Sequence, residues 1–84
     1  MIRFTKTNVE KTLRLNEGYT DSTSYRDKHF REVNHYTIHD GKLICRSTGK
    51  SSWADSHFDE TYECDLESTR RFLRARRDFL KLPE

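Results

Sequence analysis

From His35 to Arg46 the chain largely alternates apolar and polar positions about a single dipeptide: His35-Tyr36-Thr37-Ile38-His39, then Asp40-Gly41, then Lys42-Leu43-Ile44-Cys45-Arg46. A period of two sends successive side chains to opposite faces of an extended strand, and Asp-Gly suits the two positive-φ positions of a tight hairpin turn. The turn sets a register. Ile38 faces Leu43 and Tyr36 faces Cys45 on the core side, while His35, His39, Lys42 and Arg46 share the other side with Thr37 and Ile44. A further strand over Phe58 to Cys64 directs Phe58, Tyr62 and Cys64 inward and Asp59, Thr61 and Glu63 outward.

The period changes near the C-terminus. Leu66, Thr69, Phe72, Leu73, Arg76, Phe79 and Leu80 recur at helical spacing, so a helix is predicted over about Leu66 to Lys81, with Asp65 as its N-cap, Glu67 in its first turn and Pro83 beyond its end. Near the N-terminus, Ile2 to Thr5 reads as a short strand. Thr7-Asn8-Val9-Glu10 then fits a capping box that opens a short helix from Asn8 to Asn16, ended near Gly18. The polar runs Gly18 to Lys28 and Ser47 to Ser56 read as loops. Laying the C-terminal helix over Tyr36, Ile38, Leu43 and Tyr62 gives a small α+β two-layer sandwich: three or four antiparallel strands with that helix on one face and a short N-terminal helix.

Composition makes this picture tighter. With 84 residues there is room for one domain, and 32% hydrophobic content leaves a thin core in which ten aromatic residues carry much of the burial. The N-terminal MIRFTKTNVEK has no apolar run of signal-peptide length, no stretch is long enough for a membrane helix, and the expected location is the cytoplasm. Cys45 and Cys64 have neither metal-finger nor CxxC spacing and are expected as free thiols; no metal or cofactor is expected.

Charge is divided along the chain. Residues 55 to 67 hold six acids and no Lys or Arg, whereas residues 68 to 84 hold six bases against two acids. On a helix, Arg70, Arg74, Arg77 and Lys81 form a stripe beside the apolar one, with Glu67–Arg71 and Arg74–Asp78 as partly neutralising i,i+4 pairs. Gly49-Lys50-Ser51 matches the end of a phosphate-binding loop, yet Ile44 stands where the first glycine belongs. Trp53 in a polar segment suits either an indole folded under the loop to cap the core or an exposed interface anchor. His35 and His39, about 13 Å apart along one strand, cannot share a metal ion.

These features set the functional expectation. They point to a small non-catalytic interaction protein, a regulator or inhibitor that docks on a larger protein or protein–nucleic-acid complex through Arg70, Arg74, Arg77, Lys81, Trp53 and Lys50. The size and architecture are those common among phage and mobile-element products that block host machinery, inhibitors of CRISPR defence included. Direct nucleic-acid binding by the basic helix is the first alternative, although a sequence pI near 8.6 is below the value above 9 usual for dedicated domains. A toxin-like ribonuclease using His35, His39 and Arg46 is the second.

Overall fold

The computed structural model describes residues 3–51 and 56–83. A short helix α1 (Lys6–Leu15) leads into an antiparallel meander of β1 (Thr20–Arg26), β2 (Phe30–His39), β3 (Lys42–Ser51) and β4 (Ser56–Glu63). Helix α2 (Leu66–Ala75) and a 3-10 turn (Arg77–Phe79) complete the chain. The expected α+β sandwich is thus the fold observed.

The Asp40-Gly41 turn forms as read, with φ of 55° and 73°. Ile38 lies opposite Leu43 and Tyr36 opposite Cys45. Glu17 secures the turn from outside: its carboxylate accepts from the amides of Asp40 (2.6 Å) and Gly41 (3.3 Å), and the Asp40 bond leads in holding it below the usual carboxylate range. The core sits at this end of the sheet, where Phe4, Val9, Leu13, Ile38, Leu43, Phe72 and Leu73 are buried together. Both helices lie on this one face, and the other face of the sheet stays open.

Several sequence expectations are corrected. Gly18 to Lys28 is not a loop, because Thr20–Arg26 forms the edge strand β1. An edge strand needs a hydrogen-bonding partner rather than an apolar face, and all its side chains except that of Asp21 are exposed. β3 likewise runs on to Ser51, so Gly49-Lys50-Ser51 lies in a strand and has no phosphate-loop geometry. Residues 3–5 form no strand. Helix α1 begins two residues earlier than the capping box implied: the N-cap is Thr5, not Thr7, and its side chain accepts from the Asn8 amide.

α2 stops at Ala75, not Lys81. Beyond it the chain bends so that Leu80 and Leu82 pack against the core, while Phe79, placed by its spacing on the apolar stripe, is 78% exposed. Asn16 pins this tail by donating to the Lys81 carbonyl (2.8 Å) and accepting from the Lys81 amide (2.9 Å). Those two contacts are made by an extended segment and would be lost to a continuing helix. Glu67 pairs with Arg70 rather than Arg71, and Asp78 lies in the 3-10 turn outside the helix that the Arg74–Asp78 pair required. Among the described residues, no helix is long and apolar enough to cross a membrane.

Candidate functional site

The C-terminal basic stripe does not exist as a continuous strip. Arg70 is turned inward, donating to the Phe4 carbonyl (2.8 Å) and pairing with Glu67. Its role is to strap the N-terminal segment to α2. Arg74 is exposed, but Arg77 belongs to the 3-10 turn and Lys81 to the clamped tail, so the helical spacing that joined them ends at Ala75. Arg76 is committed as well: its guanidinium lies 3.9 Å from the centre of the Phe72 ring and bonds Asp21, which holds the Asp21 carboxyl below its ordinary range. Trp53 falls outside the described residues.

Lys50 has a different setting from the one expected. It lies on the open sheet face, opposite Arg31 of β2 and His57 of β4, and Arg31 in turn lies opposite Arg26 of β1. Four basic residues therefore cross all four strands in one row. Neighbouring strands are about 4.8 Å apart, so the cations Arg26, Arg31 and Lys50 stand side by side over about 10 Å, with the His57 imidazole one strand further on. Along the central hairpin the pattern repeats, with Arg31 opposite Lys50, His35 opposite Arg46 and His39 opposite Lys42. The steps between are Val33 with Thr48 and Thr37 with Ile44. At four residues per step, basic pairs recur every ~13 Å over about 26 Å of strand.

Compensation within the chain is partial. Asp59 receives a two-point bond from Arg46 (3.0 and 2.7 Å), and Glu17 lies 3.7 Å from His39. Among the described residues, Glu63 is the other strand carboxylate on this face. Arg26, Arg31, Lys42 and Lys50 make no ion pair among the described residues. Like charges directly opposite each other weaken a sheet, so this arrangement stands against the local energetics of the strands that carry it.

No protein-family model, curated protein or solved structure matches the chain. The chemistry of the site has to be argued from its own residues.

The helix-facing side of the same sheet end has an opposite character. Tyr25, Phe30 and Phe58 run across it, with ring centres 6.3 and 5.9 Å apart, and Glu32 and Glu60 share that side. Phe58 lies over Gly49, the residue it pairs with on β3. Closer to α2, a cleft of about 340 Å³ is lined by Tyr36, Tyr62, Cys64, Arg71 and Arg76 among others. Burial pushes the Cys64 thiol up to about 11, so it remains protonated and is a poor nucleophile. His35 and Arg46, named for a ribonuclease, do come opposite each other, but Arg46 is occupied by Asp59 and His39 lies four residues further along the strand.

Arg26, Arg31 and His57 were missed in the sequence because Ser47 to Ser56 and Gly18 to Lys28 read as loops. The signal was present: carrying the Asp-Gly register four residues past Arg46 puts Lys50 opposite Arg31.

Proposed function

We propose that this protein is a non-catalytic binding module that docks on an anionic macromolecular surface through the open face of its sheet. One observation supports the reading above others: the in-register row Arg26, Arg31, Lys50 and His57, continued by basic pairs along β2 and β3. Each uncompensated like-charge pair costs the sheet a few tenths to about 1 kcal/mol. An external polyanion reverses the sign of that contribution, since each cation then gains a partner.

The test is retention on immobilised heparin, a polyanion with no sequence of its own. Arg31→Glu/Lys50→Glu is expected to elute at markedly lower salt than Arg74→Glu/Arg77→Glu, although both variants change net charge equally. Equal losses would mean that the protein responds to total charge alone, and the face would have no special role.

A second reading, a regulator or inhibitor docking on a larger protein, is favoured by a different surface. Tyr25 and Tyr62 on the helix-facing side are 56% and 48% exposed. Aromatic side chains of this kind anchor protein interfaces. Tyr25→Ser/Tyr62→Ser would abolish such docking and leave heparin retention unchanged.

A further inference from the structure

We infer that the anionic partner is the phosphate backbone of a nucleic-acid duplex, bound without regard to base sequence; this rests on the open-face reading above. The composition of that face narrows the occupant. Among the described residues its apolar side chains are Val33 and Ile44, both half-buried, and it has no Phe, Tyr or Trp. Protein interfaces are enriched in aromatic anchors and depleted of charge at their centres, which is the reverse of this surface. Single-stranded nucleic acid is gripped by stacking bases on aromatic rings, and here the rings lie on the opposite side of the sheet.

What the open face does offer suits phosphate. Between and beside the basic pairs stand hydroxyls, including Ser22, Ser24, Thr48 and Thr61. Cations and hydroxyls are the groups that contact phosphate oxygens and position a protein on a duplex without reading its sequence. The dimensions agree. A duplex carries one phosphate per about 3.4 Å of axis on each strand, so basic pairs repeating every ~13 Å meet roughly every fourth phosphate, and the 26 Å ladder covers about eight base pairs. A major groove about 12 Å wide admits a helix or a two-stranded ribbon. A four-stranded face about 14 Å wide, backbone to backbone, is too broad to enter and lies across the ridges instead.

The experiment is fluorescence anisotropy of the intact chain with four labelled probes: two 20-base-pair duplexes of unrelated sequence, a 20-nucleotide oligo-dT and a poly-glutamate peptide. The expected result is binding to both duplexes within about twofold of each other. Log affinity against log salt should fall with a slope near −4, about 0.9 per cation for four to five cations. Arg31→Glu/Lys50→Glu should weaken duplex binding at least tenfold with an unchanged circular dichroism spectrum; the milder Arg31→Gln/Lys50→Gln serves if that variant fails to fold. Tighter binding to oligo-dT than to either duplex overturns the duplex inference. Binding to poly-glutamate but not to duplex overturns it too, while leaving the anionic docking face standing. Binding to none of the probes overturns both.

Discussion

Gly49 shows how a single residue decides the packing of the sheet end that carries the basic row. A Cβ built there falls inside contact distance of the Arg31 carbonyl and the Phe58 ring. The ring can swing aside, but the carbonyl belongs to the adjacent strand. Gly49→Ala is therefore expected to lower stability by about 1–3 kcal/mol, the usual range for overpacking, measured by urea unfolding. A change under about 0.5 kcal/mol would show that the strands separate freely. Asp21 gives a pH-dependent counterpart. Its folded pKa is depressed, first by the hydrogen bond from Arg76, so the stabilisation is complete above the unfolded value near 3.9 and is lost as pH falls through the folded value. Thermal melts should show Tm dropping as pH falls below about 4 in the parent, with a shallower drop in Asp21→Asn, which already melts lower at pH 7. An identical acid profile in the two proteins would remove Asp21 from the account.

At the scale of elements, legibility followed local chemistry. The Asp40-Gly41 hairpin and the Asp65 cap of α2 were readable because each depends on residues within a few positions of one another. β1 was not, since Thr20–Arg26 lacks apolar alternation and is held by pairing with β2, a partner the sequence does not announce. The end of α2 was hidden for the reverse reason. Leu80 continues the helical spacing, yet the contacts that fix it come from Asn16, which bonds Lys81 65 residues away. The start of α1 offers a direct check. Thr5→Ala should cost about 1 kcal/mol, as loss of an N-cap does, whereas Thr7→Ala should be nearly neutral; the opposite ranking would restore the capping box at Thr7.

For the whole molecule, the separation of core from open sheet is the main feature. The radius of gyration is 14.6 Å, against about 12 Å for a compact chain of this length, and the principal extents are 48 × 23 × 19 Å. Both helices and the buried apolar cluster gather at the Asp40-Gly41 end, so the sheet projects beyond its cover and exposes two faces of unlike chemistry. The charge division seen along the sequence does not map onto this shape, because Arg70 and Arg76 are absorbed by internal contacts. The basic surface comes instead from residues spread over four strands, and strand register rather than sequence proximity assembles it. The most direct measurement of that claim is a backbone and side-chain NMR titration of the intact protein with a polyanion. The account predicts shift changes centred on Arg26, Arg31, Lys50 and His57 and fading toward α2. Changes centred on Arg74, Arg77 and Lys81, with the open face unmoved, would contradict it.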